Sequence, residues 1–514
     1  MIPKPPFAAF LSSAEELVRF EALKPRLAEV WDRLTASEED DYTSVVVPSL
    51  TLDQEELAKL DGAAHYEERL LSLLIRLRNP RAHMVYVTSH PVHPQVLEYY
   101  LQLLIGIPAS HARARLTMLC AYDSSPRSLT EKVLERPRLI ERIRCAVRDP
   151  AKAYLTVFNA TPLERKLAVL LDVPLNGCDP SLAYLGSKSG GRKVLREAEV
   201  LVPEGFEDLA SAEDVAQAAL ELRRRQPLLR RAVIKLNEGF SGEGNAIFEY
   251  PDAPEIGPIR EALEGSLAFV ATGETPQRFF RKFAQMGGVI EEFIEAPRKN
   301  SPSVQVRTSP RGEVILLSTH DQILDPDTGQ VFLGARFPAD DAYRVAIQAA
   351  GLRVGEVLAR HGVVSRFGVD FLACQNARRG PWRLAGIEIN LRMGGTTHPF
   401  LALRFLTGGQ LDPNTGLFKS QSGRLKYYRA TDNLRSERYR GMLPEDLFDL
   451  LTVNKLLYSE RTESGVLFHM IGALSQFGKL GLTAIANSAD EADRLYDRVL
   501  EVLEAETRYG RDAA

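Results

Sequence analysis

Asp370, Glu388 and Asn390 are the residues whose types and spacing most directly suggest chemistry. In RFGVDFLA, strand alternation puts Phe367, Val369 and Phe371 on one face and Gly368, Asp370 and Leu372 on the other. In WRLAGIEINLRMGG, Ala385, Ile387, Ile389 and Leu391 make an apolar face and leave Glu388, Asn390 and Arg392 together opposite it. The intervening CQNARRGP is rich in turn residues, and folding a hairpin about position 379 sets Asp370 across from Glu388. Carboxylates facing each other across a ladder repel, so the pair calls for a compensating cation. Two carboxylates and an amide oxygen are hard ligands suited to a Mg²⁺ that also holds nucleotide phosphates. The competing reading is a solvated face on which Arg392 neutralises Glu388.

A second group lies upstream. In RRAVIKLNEGFSGEGNAIFEY an apolar strand delivers Lys235, a loop with Gly239, Gly242 and Gly244 follows, and a second strand returns. Such a loop lets backbone N–H groups approach an anion while the lysine supplies a point charge; a flexible hairpin tip is the alternative. No helix with GK[ST] follows, so the segment is not a Walker A loop. GSKSGGRKVLREAEVLVPEGF places Lys188 in a Gly/Ser turn and Lys193 at the head of a short helix, where lysines are usually solvated. In MGGVIEEFIEAP a strand carries Glu291 and Glu292 into Phe293 and Ile294, with one acid expected inward and one outward. A hairpin through Ser309-Pro310-Arg311-Gly312 ends in His320, Asp321 and Gln322; the first two resemble half of a catalytic dyad, but no nucleophile completes a triad. His90, His93, His361 and His469 read as structural.

The elements that must position these groups divide the chain in three. Over residues 1–175, β-branched runs at Ser44–Leu50, His83–His90, Arg115–Cys120 and Ala153–Ala160 alternate with helical patterns such as HPQVLEYYLQLLIG, which predicts a parallel α/β sheet. No GxGxxG follows any run, so this is expected to be a substrate or packing domain. Residues 176–400 carry the Gly-rich turns and the polar residues above. Residues 401–514 read as a small α+β unit, helix–strand–strand–helix, with strands GVLFHMIGAL and GLTAIANS. The length of 514 residues suits several folding units, and 45% hydrophobic with 26% charged residues is globular composition. A net charge of −4 argues against nucleic acid as the main partner. The four cysteines form no CxxC pair and there is no signal-like or membrane-length apolar run, so a cytoplasmic protein away from membranes is expected.

The order of parts resembles the ATP-grasp superfamily over about residues 180–400: a first lysine, a strand lysine with a Gly-rich loop, an acid before an apolar hinge, then VDF and EINLR. More narrowly, GSKSGGRK, SPSVQVR to STHDQIL, EINLRMGGTTHP and GVLFHMIGAL resemble the pheganomycin-type peptide ligases, which join a pre-ATP-grasp domain, an ATP-grasp core and a small C-terminal domain. That resemblance implies an ATP-dependent carboxylate–amine ligase working through an acyl phosphate and releasing ADP and phosphate, with amino acids or peptides as substrates. It implies Lys188 and Lys235 on the ATP phosphates, Ser241, Gly242 and Gly244 closing over them, and Glu291, Glu292, Phe293 and Ile294 at the adenine. It also implies Asp370, Glu388 and Asn390 on Mg²⁺, and Arg392 stabilising the transferring phosphate. The acid that often follows the hinge to bind ribose is missing, leaving Ser301, Ser303 or Gln305. A small-molecule kinase and a non-catalytic ATP-binding scaffold are the alternative functions, and a homodimer is the default assembly.

Overall fold

Five short strands open the architecture: β1 (Tyr42–Val47), β2 (Ala82–Thr88), β3 (Leu116–Cys120), β4 (Ala153–Val157) and β5 (Leu175–Asn176). They lie in the order β3-β2-β1-β4-β5 and every pairing is parallel, as the alternation of runs and helices predicts. The computed structural model describes residues 12–512 apart from 38, 53, 240–243, 254, 272, 326–328, 330 and 378–379. The first strand stops at Val47 because Pro48 has no N–H for a ladder bond. Both faces of this sheet are covered, which explains the near-continuous apolar runs. Val45 and Val47 pack with Leu139, Ile143 and Leu167 of the flanking helices, whereas Val46, Met84 and Tyr86 face a second core.

That second core binds the ends of the chain together. It joins Leu70, Leu71 and Leu74 of the helical segment Ala63–Arg78 to Phe400 and Phe405, and to Phe468, Leu480 and Leu482 near the C-terminus. Residues at opposite ends of the sequence therefore share one apolar interior, an arrangement no local pattern announces.

The central stretch begins with an antiparallel sheet of β6 (Gly205–Leu209), β7 (Arg231–Leu236), β8 (Asn245–Glu249), β9 (Ala268–Phe269) and β10 (Gly288–Glu292), ordered β6-β10-β7-β8-β9. A nine-stranded sheet follows. Its members are β11 (Arg298–Asn300), β12 (Pro302–Thr308), β13 (Val314–Leu324), β14 (Phe332–Phe337), β15 (Ser365–Gln375) and β16 (Arg383–Asn390), then three C-terminal strands. A small ribbon, β17 (Gln410–Leu411) and β18 (Phe418–Lys419), precedes those three: β19 (Tyr427–Arg435), β20 (Gly465–His469) and β21 (Lys479–Ala486). The helix Arg344–Arg360 lies against β12 and β13 so closely that a Cβ on Gly351 or Gly355 would sit 2.5 or 2.4 Å from Val304 or Val314. Only glycine permits that approach, and it braces β12, the strand that pairs with β15.

The C-terminal segment differs from the expected helix–strand–strand–helix chiefly by a leading strand. β19 precedes the helix Pro444–Val453, and all three strands extend the large sheet in the order β14-β19-β21-β20. The β19 sequence, YYRATDNLR, carries Asp and Asn, poor strand formers; the ladder with β21 skips those two and resumes at Leu434. Among the described residues, no helix is long and apolar enough to cross a membrane, and all four cysteines are free.

Candidate active site

The β15–β16 hairpin sets the acids face to face, with Asp370 opposite Glu388 and Gly368 opposite Asn390. Phe367, Val369 and Phe371 are buried against the helix Arg344–Arg360, as alternation predicts. One expectation fails. The register slips between Asp370 and Phe371, which pairs with Gly386, so Ile387 becomes the extra residue of a β-bulge and joins the cavity wall instead of the apolar face.

The acids stand at the wall of a cavity of about 560 Å³ between the two antiparallel sheets and the end of the parallel one. Asp370 accepts hydrogen bonds from Gln322 Nε2 at 2.8 Å and from Asn390 Nδ2 at 3.0 Å. Glu388 Oε1 lies 2.5 Å from Lys188 Nζ. Burial and the Glu388 charge together push the Asp370 carboxyl well above the ordinary carboxylate range. For Glu388, burial opposes ionisation, but Lys188 overcomes it and holds the carboxyl below its usual value. The pair is thus held with one carboxylate matched by a lysine and the other without a cation within 4 Å among the described residues.

Lys188 reaches Glu388 from the first residue of a helix, not from a turn. The helix Lys188–Glu197 starts five residues earlier than the sequence suggested, capped by Ser187 Oγ, which accepts from the Gly190 N–H at 3.0 Å. Lys193 faces solvent and pairs with Asp208, in line with a surface lysine. One turn beyond Lys188, Arg192 is a site residue the sequence reading missed. Its i, i+4 spacing from Lys188 was the available signal. Arg192 is almost completely buried and donates to Glu291 at 2.6 Å, Glu207 at 2.7 Å and the Pro203 carbonyl at 2.7 Å.

Glu291 also accepts from Lys235, so strands β7 and β10 present a buried Lys–Glu–Arg chain. The expected one-in, one-out pattern holds: Glu291 is buried, while half-buried Glu292 accepts from the Glu204 N–H at 3.0 Å. Glu291, however, is held by cations through its carboxylate, so only its backbone is left for an adenine-side contact. Phe293 lies under Arg231, 4.2 Å from ring centre to guanidinium carbon. Lys235 and Asn245 pair at the base of the predicted hairpin, and Gly239 and Gly244 line the cavity. Ser241 and Gly242, expected to close over phosphates, lie outside the described residues.

The cavity brings together Lys188, Lys235, Gly244, Glu291, Glu292, Phe293, Ile294, Asp370, Glu388, Asn390 and Arg392, along with the ribose candidates Ser301, Ser303 and Gln305. The Ser303 hydroxyl is buried and has no hydrogen-bond partner among the described residues. His320 and Asp321 do not form a dyad. They point to opposite sides of β13, His320 Nε2 meeting Tyr428 Oη at 2.6 Å and Asp321 accepting from Tyr343 Oη at 2.6 Å. Burial lowers the His320 pKa to about 3, so the ring is neutral. His469 is not isolated either: its Nε2 lies 2.9 Å from His398 Nε2 and 3.1 Å from Asp432.

Comparison with known proteins decides the family. L-propargylglycine–L-glutamate ligase of Streptantibioticus cattleyicolor is 31% identical over 468 residues, covering 90% of this chain and 94% of that enzyme. The chain belongs to the ATP-grasp carboxylate–amine ligases. Residues 267–414 of this ligase match the family model described as IQCH-like, ATP-grasp, and residues 446–499 match the PGM1 C-terminal domain. IQ motif-containing protein H of Danio rerio is 24% identical over 454 residues, 79% of the ligase but only 42% of that longer protein. Among solved structures, the biotin carboxylase of Campylobacter jejuni in complex with β,γ-ATP aligns with a TM-score of 0.54 at 14% identity, over 88% of the ligase and 90% of that chain. An ADP complex of N5-carboxyaminoimidazole ribonucleotide synthetase aligns at 0.51 and 11% identity, over 91% and 97%. At those identities the likeness is one of fold.

Proposed function

We propose that the cavity binds Mg·ATP against Lys188 and Lys235 and delivers its γ-phosphoryl group to a substrate carboxylate beside Arg392. The observation that carries this reading is the convergence of Lys188, Lys235 and Arg392 with Asp370, Glu388 and Asn390 on one cavity. Val233, Phe293, Ile294, Leu372 and Ile387 supply an apolar slot for the adenine, and the unpartnered Ser303 hydroxyl is the best placed of the ribose candidates. The donor set fits a divalent cation, because burial and the Glu388 charge both disfavour ionisation of the Asp370 carboxyl, and a bound cation would favour it. When bound, Mg²⁺ supplies Lewis-acid neutralisation of the phosphate oxygens.

A carboxylate resists attack by an amine because its oxygen is a poor leaving group. Phosphorylation converts that oxygen into a phosphate, and the amine then displaces it to form the amide, leaving ADP and inorganic phosphate. Little covalent help is needed from the protein, which suits a site built of lysines and an arginine without a nucleophile. Lys188 and Lys235 orient the phosphates; Arg392 has no carboxylate within 4 Å among the described residues and is free to meet the charge that develops on the transferred group. The Streptantibioticus relative, named for two amino acids, favours amino acids or short peptides as both substrates.

The test is a screen of amino-acid pairs with Mg·ATP. Formation of ADP and phosphate must require both partners, and hydroxylamine must trap an acyl hydroxamate. AMP with pyrophosphate, or a stable phosphorylated product with no hydroxamate, would refute the scheme.

A further inference from the structure

We propose that the end of the cavity lined by Tyr66, Arg69 and Lys479 anchors a free carboxylate of an amino-acid or peptide substrate. The inference rests on the ligase reading and adds a named subsite to it. Tyr66 and Arg69 come from the helical segment Ala63–Arg78, Lys479 opens β21, and all three line the same cavity as the acids of the β15–β16 hairpin.

Arg69 is 4% exposed and Lys479 5%. Lys479 Nζ donates to Tyr66 Oη at 2.7 Å, a neutral partner, and among the described residues no carboxylate lies within 4 Å of it. Arg69 has one acid, Asp432, at 3.3 Å. That acid is shared, for its other oxygen is approached by His398 at 3.0 Å and His469 at 3.1 Å. The wall therefore holds two buried cations against one carboxylate that two histidines already engage. A desolvated ammonium without a counter-ion is costly, and the cost is recovered when a ligand brings the missing charge.

The surroundings favour a carboxylate. The Arg69 guanidinium carbon lies 4.4 Å from the Phe158 ring centre and 4.6 Å from that of Tyr66, which fixes the plane of a group suited to two parallel hydrogen bonds. Leu60, Phe158 and Met393 line the same wall. The subsite is also tied to the reaction centre: Met393, next to Arg392, donates its N–H to the Phe158 carbonyl at 3.0 Å. A substrate held by one carboxylate at Arg69 and Lys479 would extend its reacting group toward Arg392.

Equilibrium dialysis tests this on the full chain loaded with Mg·AMP-PNP. The probe is a mixture of the twenty protein amino acids and their fully amidated counterparts, with retention read by mass spectrometry. Free acids should be retained and the amidated forms excluded. Arg69→Met and Lys479→Met should each lower retention at least about 30-fold, the scale of losing one partner of a buried charge pair, with AMP-PNP retention unchanged. Ligand-free Lys479→Met should also melt higher than the wild type, whereas a merely structural lysine would give a lower Tm. Retention of amidated forms as well as acids, retention of no amino acid by the AMP-PNP-loaded wild type, or full retention by Lys479→Met would overturn the subsite. Failure of the wild type to retain AMP-PNP would show itself separately and would remove the nucleotide reading along with it.

Discussion

The two ends of the cavity are built on different principles. At the proposed phosphate end both lysines have an opposite within reach, Lys188 meeting Glu388 and Lys235 sharing Glu291 with Arg192, while Asp370 and Arg392 have no ion-pair partner within 4 Å among the described residues. At the other end, among the described residues, Lys479 donates to a phenol with no carboxylate within 4 Å, and Arg69 shares its one acid with two histidines. The lysines of the first end are pre-neutralised and, on the proposed function, exchange partners when a nucleotide arrives; the second end keeps an uncancelled positive charge for its proposed ligand. The former arrangement favours stability without ligand, and the latter favours selectivity for an anion at some expense of stability.

The sharpest way to break this contrast is to remove the acid facing Asp370. Glu388→Gln is expected to lower kcat for ADP release by about 10³-fold, the scale of losing a major electrostatic contact in the transition state, while Lys479→Met acts chiefly on the KM of one substrate. Equal effects on kcat would erase the distinction between the ends. Next in size is Arg192→Leu, which removes one of the two cations on buried Glu291 and leaves Glu207 with Arg196; denaturant unfolding should show a loss of about 3 kcal/mol.

Acid unfolding tests a group between the ends. His320, on β13, has its pKa depressed to about 3 by burial, whereas an unfolded histidine titrates near ~6.5. Between those values the unfolded chain binds the extra proton, so stability must fall as pH drops below about 6.5, by about 1.4 kcal/mol per unit from this residue. Denaturant midpoints for the wild type and His320→Phe from pH 7 to 5 should show that slope in the former and its reduction in the latter. The smallest expected effect sharpens the comparison from the other side: Lys479→Met should gain roughly 1 kcal/mol without ligand, and Lys188→Met should not, since it frees Glu388 to repel Asp370.

These two ends also differ in how far they could be read beforehand. The proposed phosphate end is legible where its chemistry lies on paired strands, Asp370 and Glu388 on β15 and β16 and Lys235 and Glu291 on β7 and β10. Period-2 alternation and a turn-rich link are enough to place Asp370 opposite Glu388. The reading faltered where a local rule was interrupted. The bulge at Ile387 turned an apolar position into the cavity, and the early start of the helix at Lys188 hid Arg192 one turn further on. β19 went unseen because Asp432 and Asn433 are poor strand residues, and the ladder with β21 accommodates them by an irregularity that leaves both unpaired between Thr431 and Leu434.

By itself the sequence determined the local periods and, through them, the acid pair, the strand lysine, the parallel N-terminal sheet and the family motifs that go with them. Each depends on contacts between neighbours along the chain or across one hairpin, where spacing dictates geometry. Only the tertiary structure decided that Tyr66, Arg69, Asp432 and Lys479 share one wall. These residues stand up to 413 positions apart, and what joins them is an apolar core shared by the helical segment Ala63–Arg78 and the C-terminal strands. Hydrophobic burial is non-directional, so a sequence can signal that such a core will form without specifying which distant polar residues it will carry to the same cavity.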